Sequence, residues 1–198
     1  MPKTIEFFFD FVSPYSYIGW NKLPRLRAAS GAEVEIKPMF LGGVMQATGN
    51  SPPGMVAAKS RYMMSDLNRC AEDVNAPFHM NPSFPMNTLR ILRAALGFQD
   101  DTNEQLRFID ACFKHAWGIE TPKNLGEKSD IAAMCAAEGF DADSVLAMGS
   151  DESLKAALTA NTEDAVARGA FGAPSLFVGD EMFFGTDRFD FVAAAARS

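Results

Sequence analysis

The run FFFDFVSPYSYIGW, Phe7 to Trp20, decides how this chain is read. Its first half is apolar, with Phe7, Phe8, Phe9 and Phe11 around a single acid, Asp10, so residues 4–11 are expected to form a central strand. The pattern stops at Ser13-Pro14-Tyr15-Ser16. From Ser16 to Ala29 the apolar positions Tyr17, Trp20, Leu23, Leu26 and Ala29 recur at helical spacing, and Gly31 is a natural stop. Glu33 to Met39, EVEIKPM, alternates polar and apolar residues and reads as a second strand. The chain therefore opens as a β-α-β unit. Its Ser-Pro turn lies where a strand hands over to a helix, a position whose free N–H groups favour negative charge.

Beyond that unit the style changes. GGVMQATGNSPPG reads as a long loop, and residues 56–148 are rich in Ala, Leu, Met and Arg with helical periodicity, broken at NAPFHMNPSFPMN, GFQDDTNE and ETPKNLGE. No part of this stretch resembles a strand pair, so it reads as several inserted helices. Residues 153–168 are helical, SLFVG and EMFFG are short strands on either side of Gly179-Asp180, a hairpin signal, and residues 187–196 close the chain as a helix. The order β-α-β, helical insertion, α-β-β-α is that of a thioredoxin-like α/β fold with a helical domain spliced into its middle. The expected boundaries are 1–42 and 150–198 for the thioredoxin-like part and 43–149 for the insertion.

Composition sets the outer limits. The 198 residues, 47% hydrophobic and 22% charged, suit one globular domain or one domain with an insertion. No run approaches the length of a membrane span and no secretory signal pattern is present, so a cytoplasmic protein that does not engage a membrane is expected. A formal net charge of -7 argues against sequence-independent binding of nucleic acid, which needs a basic surface. Any anionic substrate must be met by a local basic pocket. Cys70, Cys112 and Cys135 form no C-x-x-C and have no His at ligand spacing, which excludes a disulfide framework and predicts no metal site; they read as small buried side chains of helices. His79 and His115, the only histidines, give no positive support to a hydrolase triad.

Four motifs, FDFVSPYSY, GNSPPG followed by Lys59, FPMNTLRILRA and GAFGAPSLFVGDEMFFGTDRFDFV, together resemble the 2-hydroxychromene-2-carboxylate isomerases and their relatives, the kappa-class glutathione transferases. These are thioredoxin-like proteins built like the disulfide oxidoreductase DsbA. The resemblance spans nearly the whole chain. In redox members a C-x-x-C occupies the strand-to-helix turn, where the helix end lowers a thiol's pKa. Here the turn offers Ser13 and no thiol. The resemblance implies that the same helix end stabilises an external thiolate, that of glutathione, with the Ser13 hydroxyl donating to the sulfur. Taken from the residues alone, Ser13 reads as a plain helix cap or turn residue; the other motifs reverse that.

The resemblance assigns further roles. Pro174 would follow a cis peptide bond, and the backbone of Ala173 would pair with the cysteinyl backbone of glutathione like an added strand. The N–H groups of Gly185, Thr186 and Asp187 would hold the γ-glutamyl carboxylate, and the Asp187 carboxylate its amino group; the plainer reading makes Thr186 the cap of the last helix. Asn50 becomes an orienting polar group and Lys59 a cation near glutathione or the substrate carboxylate, although a lone lysine is ordinarily a solvated surface charge. Asn87 and Arg90, with Arg93 nearby, become substrate-side groups. Trp117, Met63, Met64 and Met86 read as helical core rather than pocket wall.

Three functions are weighed. The first is a glutathione-dependent isomerase of aromatic-ring degradation that interconverts 2-hydroxychromene-2-carboxylate and trans-o-hydroxybenzylidenepyruvate, with glutathione as cofactor, a small aromatic keto acid as substrate and a homodimer as the working form. The second is a kappa-like glutathione transferase, which consumes the thiol. The third is a thiol-free binding module built like DsbA, with no affinity for glutathione.

Overall fold

The computed structural model describes residues 2–198. Strand β1 (Ile5–Phe9) is followed by α1 (Pro14–Ser30), β2 (Val34–Pro38) and α2 (Leu41–Thr48). A single turn at Pro53–Met55 leads into α3 (Ala57–Asp73), α4 (Leu89–Gly97), α5 (Thr102–Phe113), α6 (Lys128–Glu138), α7 (Ala142–Met148) and α8 (Glu152–Ala167). The chain ends with β3 (Ser175–Val178), β4 (Glu181–Phe184) and α9 (Phe189–Arg197). The sheet order is β2-β1-β3-β4. β1 runs parallel to β2, Phe7 opposite Ile36, and antiparallel to β3, Phe7 opposite Leu176. β3 and β4 form the hairpin, with Gly179 at φ 60 in its turn.

The phenylalanine run fills both faces of the sheet because successive side chains of a strand alternate. Phe7 and Phe9 point to one face, where Phe9 meets Phe113 of α5 at 5.4 Å between ring centres. Phe8 points to the other and meets Phe177 at 5.4 Å, in a smaller cluster with Met39, Val44 and Ala165. The helices of the middle stretch share the first core: Ile91, Phe108 and Trp117 lie in the same buried cluster as β1, and the Trp117 indole donates to the Phe11 carbonyl at 2.8 Å. A boundary placed after residue 42 falls inside α2.

α1 begins as its sequence directs. Ser13 is the N-cap, its Oγ accepting the Ser16 N–H at 3.1 Å, Pro14 takes the first helical position, and Gly31 closes the helix at φ 66. α2 corrects the expectation of a loop. Two adjacent glycines lower helix propensity, but the packing requires them: a Cβ on Gly42 would lie 2.7 Å from the Phe40 ring, and one on Gly43 would lie 3.1 Å from it and 3.3 Å from Thr162. The first turn is held from outside, by Leu41 N–H on Asp10 Oδ2 at 2.8 Å and Phe40 N–H on Thr162 Oγ1 at 2.9 Å. Among the described residues no helix is long and apolar enough to cross a membrane.

Candidate active site

The strand-to-helix turn opens into a cavity of about 870 Å3, within the range of about 300–1,000 Å3 usual for small-molecule sites. Residues 12–15 at the start of α1, the first half of α2, one face of α3 from Ala58 to Cys70, residues 84–86 with Thr88, and the segments 172–173 and 184–187 form its walls. The sheet and α1 thus supply a rigid floor, and the middle helices supply the far wall.

Ser13 lies on that floor and is buried. Besides capping α1, its hydroxyl donates to the Ala173 carbonyl at 3.1 Å. The Ala173–Pro174 peptide is cis, and the Pro174 carbonyl accepts the Gly185 N–H at 3.0 Å, which joins the proline corner to the 185–187 turn. A serine hydroxyl has one hydrogen. A ligand atom above Ser13 receives that hydrogen only when it turns away from Ala173, and the Ala173 carbonyl is then left to accept from the ligand.

Beneath the turn lies Asp10, fully buried at the end of β1. It accepts Val12 N–H at 3.0 Å, the Thr88 hydroxyl at 2.6 Å and Leu41 N–H at 2.8 Å. One side chain therefore ties the active turn, the start of α2 and the start of α4. Burial pushes its carboxyl above the ordinary range, against the lowering effect of those donors. Thr88, which lines the cavity, makes no cap bond to α4; its hydroxyl donates to Asp10 instead.

Ser13, Asn50, Lys59, Ala173, Gly185, Thr186 and Asp187 line this one cavity, with Pro174 behind Ala173. Asn50 is a tether: its Nδ2 donates to the Phe171 carbonyl at 2.7 Å and its Oδ1 accepts Ser51 N–H at 2.8 Å, leaving one amide hydrogen for a ligand. Lys59 has no carboxylate partner among the described residues. Thr186 does not cap the last helix; Arg188 occupies that position without a side-chain bond. Instead the Thr186 carbonyl accepts from Lys22 Nζ at 3.3 Å, while the Asp187 carboxylate pairs with Arg188 at 2.6 Å.

Asn87 and Arg90 are not part of the cavity. Asn87 accepts Leu89 N–H at 3.1 Å at the start of α4, and Arg90 donates to the Gly126 carbonyl at 3.3 Å with its backbone against Gly149. Asn87, ahead of α4, has its backbone against Gly126, and α4 packs on α7 and α8. Arg93 likewise donates to the Gly149 carbonyl, at 3.2 Å. Met63, expected in the core, is cavity wall, and Met64 is exposed; Met86 is buried in the core and also lines the cavity, and Trp117 is core, with no exposed surface.

The sequence reading missed a carboxylate with two phenols. Tyr15 donates to Asp66 Oδ2 at 3.0 Å and Tyr62 to Asp66 Oδ1 at 3.1 Å, fixing α3 against the start of α1. Burial, reinforced by Asp66, pushes the Tyr15 phenol up, so it stays protonated. The 62/66 spacing puts one pair on a single helix face and was legible. The Tyr15 contact, 51 residues away, was not. Among the described residues no group of three or more side chains could hold a metal ion.

Comparison with known proteins agrees with this fold. The DSBA-like thioredoxin domain family matches residues 4–197. A 2-hydroxychromene-2-carboxylate isomerase of Sphingobium xenophagum is 31% identical over 97% of this chain and 97% of its own. Glutathione S-transferase kappa 1 of Caenorhabditis elegans is 32% identical over 98% of this chain and 91% of its own. The solved structure of a 2-hydroxychromene-2-carboxylate isomerase superposes with a TM-score of 0.85 at 25% identity, covering 97% of this chain and 93% of that one.

Proposed function

The chain belongs to the family of DSBA-like thioredoxin domains, in the group of the 2-hydroxychromene-2-carboxylate isomerases and kappa-class glutathione transferases, and from that premise we propose that it is a glutathione-dependent isomerase. Its substrate pair is 2-hydroxychromene-2-carboxylate and trans-o-hydroxybenzylidenepyruvate, and the working form is a cytoplasmic homodimer. The observation that carries the reading is the Ser13 hydroxyl held against the Ala173 carbonyl at the helix start, in a turn that carries no cysteine.

The donor set suits glutathione. Gly172 and Ala173 line the cavity at a bend before β3, the Thr186 and Asp187 N–H groups have no partner among the described residues, and Ser13 supplies one hydroxyl. When bound, glutathione supplies a thiolate that adds to the unsaturated carbon of the ring-opened acid, lets the former double bond turn, and leaves again by elimination.

The protein's own part is positioning and charge. Ser13 turns its hydrogen from Ala173 to the sulfur and favours the ionised form, helped by the N-terminal end of α1. The released Ala173 carbonyl accepts the cysteinyl N–H, so the two bonds exchange without leaving a buried acceptor empty. Lys59 faces the carboxylate of the acid across the cavity. Met45, Met63 and Met86 give the aromatic ring an apolar wall that adapts to its shape.

Sequence identity to the kappa-class relative equals that to the isomerase within one point, which keeps the transferase as the second reading. Glutathione stoichiometry separates the two. An isomerase equilibrates a large excess of the chromene carboxylate with a trace of glutathione and leaves the thiol concentration unchanged. Loss of one thiol per product overturns the isomerase in favour of the transferase, and no affinity for glutathione leaves only the binding module.

A further inference from the structure

We propose that Lys22 is a positioning residue: by holding the Thr186 carbonyl it aims the Asp187 N–H into the cavity and sets the preference for a ligand bearing a free γ-glutamyl carboxylate. The inference rests on the glutathione reading above and concerns how one end of that ligand is chosen.

Lys22 sits on the inward side of α1 with a side chain only 16% exposed. Its ammonium reaches the Thr186 carbonyl at 3.3 Å and Asp73 Oδ2 of α3 at 3.3 Å. Three elements that wall the cavity therefore meet on one nitrogen: the helix that carries Ser13, the helix that carries Lys59, and the 185–187 turn.

The Thr186 C=O and the Asp187 N–H belong to the same peptide group. Cis bonds occur among the described residues at Phe84–Pro85 and Ala173–Pro174, so the 186–187 peptide is trans. In a planar trans peptide the carbonyl and the N–H point in opposite directions. Drawing the oxygen toward Lys22 turns the hydrogen away from Lys22. The other end of the turn is locked as well, by Gly185 N–H on the Pro174 carbonyl at 3.0 Å and by Gly185 at φ 90, a conformation suited to glycine. The turn is anchored ahead of the 186–187 peptide by Gly185, and the peptide itself cannot flip without losing its bond to Lys22.

The charge of Lys22 adds to its direction. A cation on a carbonyl oxygen polarises the peptide and strengthens its N–H as a donor. With Arg25 beside it, it also offsets part of the acidic charge of this corner, where Asp73 and Asp190 lie near the 186–187 turn and the Asp187 carboxylate is paired with Arg188. Without Lys22 the Thr186 carbonyl loses its anchor and the corner loses one of its cations.

Titration calorimetry on the full chain with two ligands tests the idea: glutathione, and its analogue in which the γ-glutamyl carboxylate is an amide. Lys22→Met keeps the apolar stem and removes the donor and the charge. It is expected to weaken glutathione about tenfold, leave the amide analogue unchanged, and so abolish the preference for the free acid. Lys22→Arg, which keeps a cationic donor, restores most of the preference and guards against a folding defect in the first variant. An undiminished preference in Lys22→Met, or equal weakening of both ligands, overturns the inference while leaving the glutathione reading intact. A wild-type protein that binds neither ligand overturns that reading and this inference with it.

Discussion

The Ser13 hydroxyl donates to the Ala173 carbonyl at 3.1 Å, across 160 residues of chain, and the same oxygen caps α1 through Ser16 N–H. One atom therefore serves the helix, the proline corner and, on the proposed reading, the sulfur. Ser13→Ala is expected to cost about 1 kcal/mol of stability from the lost cap. It should slow turnover about a hundredfold, by comparison with loss of one oxyanion-hole donor. The ultraviolet absorbance of bound thiolate, followed against pH, should shift its midpoint upward. Turnover equal to wild type would remove Ser13 from the mechanism.

Asp10 predicts a stability effect with a definite sign. Its folded pKa lies above the unfolded value of 3.8, so the folded state binds the proton more tightly, and its contribution to stability falls as pH rises from 3.8 toward the folded value. Asp10→Asn removes that slope. It also sets an amide donor against one of the buried N–H groups of Val12 or Leu41, at a cost of about 1–3 kcal/mol. Urea denaturation of both proteins at several pH values should show the wild-type advantage shrinking as pH rises; an advantage that grows contradicts the assignment.

Lys59 and Arg90 should behave differently. Lys59→Ala removes a cation that lines the cavity and is expected to raise KM for the acid about tenfold with an unchanged melting temperature. Arg90→Ala removes a bond to the Gly126 carbonyl outside the cavity. It should leave KM within about twofold and lower stability by about 1 kcal/mol. Steady-state kinetics beside thermal melts would expose the reverse pattern.

The cysteines predict a thiol count. Burial pushes the Cys112 thiol well above its usual range, and Cys135 has no exposed surface, whereas Cys70 is half-buried on the cavity wall. An aromatic disulfide reagent should titrate one thiol in the folded protein and three in denaturant, and no catalysed oxidation of a reduced substrate protein is expected. Rapid modification of all three before unfolding would contradict this burial.

Much of the fold was written locally. The phenylalanine run, the Ser13 cap, the Gly31 stop and the Gly179-Asp180 turn each act within a few residues, so they survive as sequence pattern. They set the β-α-β opening and the closing hairpin, and the four motifs together carried the family. α2 escaped because its two glycines argue against a helix on propensity, and the Phe40 ring that needs them there belongs to packing.

The composition of the cavity was decided elsewhere. Asp10 finds Leu41 and Thr88 at 31 and 78 residues' remove, Tyr15 finds Asp66 at 51, and Lys22 finds Thr186 at 164. Asn87 and Arg90 stand in the same motif as Met86 and Thr88, yet only the latter two line the cavity. Periodicity says which residues share a helix face, but the direction that face takes is set by the neighbours packed against it, and those neighbours are distant in sequence. The sequence by itself determined the strand, the turn and the serine at the helix start; only the tertiary structure decided which side chains meet that serine across the cavity.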